Sequence, residues 1–203
     1  ENPRRTRRPG QVRGRRDTRT FKAFMTTLNR YGSIAAEIYD IDKPVGAMPD
    51  TAFQLERLQD LDGPLLEPAC GSGRTLLPLL QAGLDCTGFD PSPDMLDRCR
   101  RLCAEAGFAP DLSTQRFEDF AYDRRFAAVL VPAGSFTLID DFATACAVLR
   151  RFHDGLQPGG RLILDIQGLA FLASDSVDRR RWTTPDGDLL TLEGVRGRVD
   201  WLR

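Results

Sequence analysis

Residues 65–77, LLEPACGSGRTLL, constrain the chain more than any other stretch. Two apolar residues and an acid lead into a turn holding Gly71 and Gly73, and an apolar run starts directly behind it. Strand, glycine turn and helix in that order open a βα unit, and parallel strands need a crossover helix of this kind. The rest of the sequence repeats the unit. Residues 84–90 read as a buried strand ending on an acid, and Ser92-Pro93 supplies an N-cap followed by proline at the first helical position. The helix behind it is predicted to run to about Ala106. Residues 111–117 form a weaker strand, and 126–132 (FAAVLVP) are continuously apolar, as expected of a strand covered on both faces. A helix over 140–154, a turn over 155–160 and an apolar strand over 161–166 complete the series.

This alternation predicts an α/β fold, Rossmann-like and doubly wound, with a mostly parallel sheet and helices on both faces. Right-handed crossovers place the first strand centrally, with the fourth and fifth to one side. Two helices precede the sheet. In residues 27–40, Leu28, Tyr31, Ile34, Ala35, Ile38 and Tyr39 recur at helical spacing, and 51–61 read as a second helix before Gly63-Pro64. Past Gly168 the pattern changes: WTTPDGDLLTLEG, with Pro185-Asp186-Gly187 at its middle, reads as a β-hairpin that either extends the sheet or covers one edge. The expected division is a tail (1–24), N-terminal helices (25–62), the core (63–168) and a hairpin region (169–203).

With 203 residues, 41% apolar and 28% charged, the chain has material for one globular domain. It contains no apolar run long enough to span a bilayer and no secretory leader, so a cytoplasmic location is expected. Its five cysteines include no C-x-x-C pair, and His153, late in a helix, is the only histidine. Neither a disulfide framework nor a metal site is expected, and Cys99 and Cys103, four apart on a helix, read as small apolar fillers. Residues 1–24 carry nine Arg/Lys against Glu1 and Asp17, so the remainder is acidic although the net charge is −1. This arm reads as a solvated tail ahead of Met25, with a nucleic-acid tether as the alternative.

The glycine turn narrows the ligand. No lysine follows Gly73, which excludes the common triphosphate-binding loop. Gly71-Ser72-Gly73 begins a dinucleotide pattern and Asp90 stands near the ribose-binding position, but Leu76 occupies the third glycine and gives no close helix packing over a pyrophosphate. Glu67 beside the turn suits a cationic ligand better than two phosphates.

Glu67-Pro68-Ala69-Cys70-Gly71-Ser72-Gly73 resembles the first motif of the class I S-adenosylmethionine-dependent methyltransferases. The segment from Gly88 to Leu96 (GFDPSPDML) resembles their second motif region, and Leu156-Gln157-Pro158-Gly159-Gly160-Arg161 resembles the turn into their fifth strand. The resemblance covers about residues 31–167. It implies S-adenosylmethionine as cofactor, with Gly71 and Gly73 admitting it to the backbone, Ala69 and Cys70 beside them, and Glu67 ordering its amino-acid end. Asp90 would accept hydrogen bonds from the ribose hydroxyls, its alternative being a helix N-cap; Pro91 would lie alongside and Met95 would pack on the adenine. Arg116 and Phe117 fall where many relatives carry an acid and an apolar residue, Phe117 flanking the base. Tyr31 and Tyr39 would belong to a helix closing over the methionine end.

By the same resemblance, residues 131–136 (VPAGSF), with Pro132, would line the methyl-transfer site. Asp165 and Gln167 flank the end of the fifth strand and are placed to touch the acceptor, the alternative for Asp165 being a scaffold role facing a helix; no catalytic base is assigned. The implied activity is methyl transfer to nitrogen or oxygen of a small molecule. VPAGSF differs from the N-P-P-Y type that acts on nucleic-acid bases, so a nucleic-acid substrate is not expected. The alternatives are an RNA or protein methyltransferase using the basic arm, and a domain that binds the cofactor without turnover.

Overall fold

The computed structural model describes residues 33–46, 50–168, 178–183, 187 and 189–194. The expectations for residues 1–24, Tyr31 and 169–177 lie outside the described residues. Two helices, α1 (Ser33–Asp42) and α2 (Asp50–Leu58), come first. The core then runs through β1 (Leu65–Pro68), α3 (Leu76–Gln81), β2 (Cys86–Phe89), α4 (Pro93–Glu105), β3 (Leu112–Ser113), β4 (Phe126–Val131), a 3-10 turn (Ser135–Leu138), α5 (Phe142–Gly155) and β5 (Leu156–Leu164). The hairpin strands β6 (Asp178–Thr183) and β7 (Leu189–Gly194) come last.

The five core strands lie in the order β3-β2-β1-β4-β5 and all pair in parallel, with β1 central. Every residue of β1, β2 and β4 is buried, because helices cover both faces of the sheet. Alternation along each strand divides its side chains between two cores. Leu65, Ala128 and Leu130 join Leu58 of α2, Leu76, Leu77 and Leu79 of α3, and Leu96, Cys99 and Cys103 of α4. Leu66, Val129 and Val131 join Phe89, Phe120, Phe126, Val148 and Phe152 on the other face. There Phe89 stacks on Phe120 at 5.0 Å between ring centroids, and Phe120 lies 5.6 Å from Phe152, contacts each worth about 0.5–1.5 kcal/mol beyond burial. The cysteines of α4 are apolar filling in the first core.

Three boundaries differ from expectation. β3 is only two residues long, and Phe117 leaves it to meet Phe89 and Phe152 edge-on at 6.2 and 6.0 Å. α5 starts at Phe142 because Asp141 caps it, its Oδ2 accepting from the Thr144 backbone N–H at 2.7 Å. The turn expected over 155–160 is strand from Leu156 onward: Leu156 pairs with Phe126, and the register shifts before Arg161 pairs with Ala128. Gly160 lies within that irregularity, where a Cβ would stand 2.9 Å from the Gln157 carbonyl and 3.1 Å from that of Ala127.

The hairpin forms as expected, with Thr183 opposite Leu189 nearest its turn. Among the described residues β6 and β7 pair only with each other. Arg180 of β6 ties the hairpin to α1 through an ion pair with Asp42.

Candidate functional site

The loop between β1 and α3 turns back on itself through three left-handed residues, Ala69 (φ 55°), Gly71 (56°) and Gly73 (91°). Its closure is held by backbone bonds: Cys70 N–H donates to the Phe89 carbonyl and Gly73 N–H to the Cys70 carbonyl, both at 3.0 Å. The two glycines serve different ends. A Cβ on Gly71 would meet nothing within 4 Å, so the loop presents bare backbone there. A Cβ on Gly73 would stand 2.7 Å from Cys99 Sγ, so this glycine lets α4 approach the loop and not a ligand. The close packing that Leu76 was expected to forbid is restored from the opposite side. On β2, a Cβ at Gly88 would lie 2.7 Å from Leu76 Cδ1, 2.9 Å from Cys70 Sγ and 3.0 Å from Leu112 Cδ2. The missing side chain has moved from helix to strand.

Two carboxylates end the strands beside this loop. Glu67 is 1% exposed, and its Oε2 has no hydrogen-bond partner. Burial pushes its carboxyl well above the usual range, against the pull of the Arg74 guanidinium. Asp90 is also buried; its Oδ2 accepts from Gly71 N–H at 3.0 Å and its Oδ1 from Ser92 N–H at 2.8 Å. Burial raises its pKa and those two N–H groups lower it. The N-cap of α4 is Ser92, whose Oγ accepts from Met95 N–H at 3.2 Å, so Asp90 fastens the glycine loop to the start of the helix.

The remaining predicted positions divide. Pro91 is exposed and Met95 buried at the first turn of α4. The Cys70 thiol is turned inward against Cys99, leaving only its backbone to the loop surface. Phe117 packs among the phenylalanines, whereas Arg116 is exposed and pairs with Glu118 at 3.5 Å. Pro132 is buried at the end of β4, and Ala133 behind it is left-handed at φ 58°. The Ala133 N–H donates to Asp165 Oδ2 at 3.0 Å, and Gly134 packs against Gln167, whose Cγ would lie 2.8 Å from a Cβ there. The structure therefore gathers Pro132, Asp165 and Gln167 on one loop cluster, with Asp165 holding the backbone of that cluster.

Four further residues belong to the site although their sequence context did not mark them. Arg74, directly after Gly73, is nearly buried and bonds Asp50 with both terminal nitrogens, at 3.0 and 2.9 Å. It also shares a side-chain hydrogen bond with Tyr39 of α1. Gln54 of α2 is fully buried and donates its Nε2 to Asp165 Oδ2 at 3.1 Å, while its Oε1 and the Thr51 Oγ1 are buried without partners. One signal was available: Arg74 is the only charged residue between Glu67 and Asp85.

Residues 65–160 match the family described as "Methyltransferase domain". Over these residues the chain is similar to a methyltransferase domain. The chain is similar to the cypemycin N-terminal methyltransferase of a Streptomyces species, 28% identical over 162 residues, which cover 77% of this chain and 64% of that protein. It is similar to the dTDP-3-amino-3,4,6-trideoxy-alpha-D-glucopyranose N,N-dimethyltransferase of Streptomyces venezuelae, 27% identical over 137 residues, 64% of this chain and 56% of that protein. The chain thus spans less than two thirds of either relative. The solved glycopeptide N-methyltransferase MtfA in complex with S-adenosylmethionine superposes with a TM-score of 0.54 at 25% identity, over 75% of this chain and 68% of that one. The glycine loop and both acids lie at the carboxyl ends of β1 and β2, the edge where open α/β sheets take ligands.

Proposed function

We propose that the protein transfers a methyl group from S-adenosylmethionine to the nitrogen of a small-molecule amine. The single observation that carries the cofactor is the pairing of bare loop backbone at Gly71 with the buried, unpartnered Oε2 of Glu67. A buried carboxylate oxygen without a donor is costly in a finished site and is accounted for by a ligand that brings one. The cofactor's amino-acid end brings an ammonium, and its ribose brings hydroxyls for the oxygens of Asp90. The choice of nitrogen as acceptor is supported by the names of the relatives: an N-terminal methyltransferase, an amino-sugar N,N-dimethyltransferase and a glycopeptide N-methyltransferase.

The cofactor supplies an electrophilic methyl on sulfonium. Displacement is in line, so the protein's work is alignment, and holding the partners in attack geometry accounts for most of the acceleration. Ala69, Gly71 and Gly73 shape the loop, with Cys70 contributing backbone; Glu67 orients the amino-acid end of the cofactor and Asp90 its ribose; Pro91, Met95 and Phe117 bound the base, with Arg116 at the rim. Tyr39 of α1 closes the methionine end. Pro132 and its neighbours line the transfer site, where Asp165 fixes the backbone at Ala133 and Gln167 faces the acceptor. An amine acceptor arriving neutral needs no base before attack and releases its proton to solvent afterwards.

The test has two stages. Titration calorimetry with S-adenosylhomocysteine should show one site per chain, and the absence of heat would overturn the reading. Release of S-adenosylhomocysteine is then followed with an amino sugar, a peptide with a free N-terminal amine and a matched set of alcohols. Turnover with an amine and none with alcohols is expected; turnover confined to hydroxyl acceptors would refute the choice of nitrogen.

A further inference from the structure

The two N-terminal helices sit over the glycine loop with little apolar anchorage there. In α1, among residues 36–42, Ala36 alone is fully buried. Its other ties are polar: Asp40 pairs with Arg98 of α4 at 3.2 Å, Asp42 with Arg180 of the hairpin, and Tyr39 with Arg74. In α2 the buried face reads Thr51, Gln54, Leu58, so the half nearest the loop is polar and only the far half reaches the leucine core. Thr51 Oγ1 and Gln54 Oε1 are both buried there without partners, so this half of α2 is held in place against its own unmet polar groups. One feature opposes that cost. Arg74 leaves the glycine loop and grips Asp50, the first residue of α2, with both arms of its fork, while bonding Tyr39 near the end of α1. A planar guanidinium fixes a carboxylate in direction as well as distance, which an ammonium does not.

We propose that Arg74 is a positioning residue for the cofactor, setting both N-terminal helices over the glycine loop through Asp50 and Tyr39. Cofactor affinity then depends on a side chain that acts through the helices. Arg74 is spent on its protein partners and fully placed before any ligand arrives. The proposal rests on the cofactor reading above, and it concerns the coupling of helices to loop, not the identity of the ligand.

The experiment uses the full chain and S-adenosylhomocysteine as the probe. Wild type, Arg74→Gln, Arg74→Lys, Asp50→Asn, the Arg74→Gln/Asp50→Asn double variant and Asp60→Asn are compared by calorimetry, with thermal melts confirming that each is folded. Asp60 pairs with Arg161 at 2.7 Å near the opposite end of α2, so its variant breaks a pair at that end and leaves the grip intact. Expected are a loss of affinity of about tenfold in Arg74→Gln and Asp50→Asn, a smaller loss in Arg74→Lys, no further loss in the double variant and none in Asp60→Asn. Hydrogen exchange should quicken over residues 33–58 and stay unchanged in β1, β2 and β4. Wild-type affinity in the folded Arg74→Gln and Asp50→Asn variants would overturn the proposal, as would an equal loss in Asp60→Asn. Silence of the wild type toward the probe would instead overturn the cofactor reading, and unchanged exchange in Asp50→Asn would still refute the grip.

Discussion

Gly88→Ala is the sharpest test of how the glycine loop packs. Gly88 is not left-handed, so alanine is not refused by the backbone, and replacing a strand glycine should by itself gain about 0.5–1 kcal/mol. The new methyl, however, would stand 2.7 Å from Leu76 Cδ1, 2.9 Å from Cys70 Sγ and 3.0 Å from Leu112 Cδ2. All three fall short of ordinary carbon contact, and Leu76 is fully buried with nowhere to turn. Overpacking of this kind costs about 1–3 kcal/mol, and with three neighbours engaged the upper part of that range applies, leaving a net loss of about 1–2 kcal/mol. Leu76→Ala alone should lose about 2–5 kcal/mol by opening a cavity. In the double variant the added methyl points into the space that Leu76 vacates, so the loss should fall at least ~1 kcal/mol short of the sum. Urea unfolding followed by circular dichroism, with a common slope for all four proteins, measures the cycle. Losses that add within ~0.5 kcal/mol, or a Gly88→Ala variant more stable than wild type, would refute the claim that Gly88 makes room for Leu76.

Other outcomes concern the same loop and its surroundings. Ala69 holds φ 55° without being glycine; relief of that strain by about 1–2 kcal/mol, less the added chain entropy, should leave Ala69→Gly more stable by ~0.5 kcal/mol in urea, and a loss would count against the left-handed turn. Glu67 has its carboxyl raised above 4.5 by burial, so it contributes stability at low pH that is lost as pH rises through its folded value; Glu67→Gln should remove that downward slope above pH 4.5, and parallel curves would refute it. Asp165→Ala strips the partner from Ala133 N–H and from the fully buried Gln54 amide and should cost about 1–3 kcal/mol, with Asp165→Asn milder because it keeps an acceptor; equal losses in chemical denaturation would argue that the carboxamide cannot replace the bond. Cys70, Cys86, Cys99 and Cys103 are buried with their thiols pushed up in pKa, so a disulfide reagent should label only Cys146 rapidly in native protein, and a second fast thiol would mean that α4 opens.

The parts of the fold that could be read from the chain are those whose information is local. β1, β2 and β4 are apolar runs bounded by turns because helices cover both their faces, and Ser92-Pro93 announces α4 through a capping bond made within three residues. What escaped a linear reading is pairwise. The extra length of β5 depends on Leu156 finding Phe126, thirty residues earlier in the chain, and Gly155 to Gly160 taken alone has the composition of a turn. The role of the absent third glycine is carried by Gly88, visible only once Leu76 faces β2. The candidate site shows the same division: Glu67 and Asp90 mark themselves by ending strands, whereas Arg74 and Gln54 matter through Asp50 and Asp165, 24 and 111 residues away.

β5 is the outermost strand of the five on its side, and among the described residues the hairpin pairs with itself and not with it. A nine-residue edge offers main-chain donors and acceptors to any extended segment that comes alongside. Its first half is blunted, since Pro158 has no N–H to give and Gly159-Gly160 bend the strand out of register. The second half, Arg161 to Leu164, is regular and can accept a sixth strand. A strand added there would join the sheet on the far side of β4 from β1, away from the loop at Gly71.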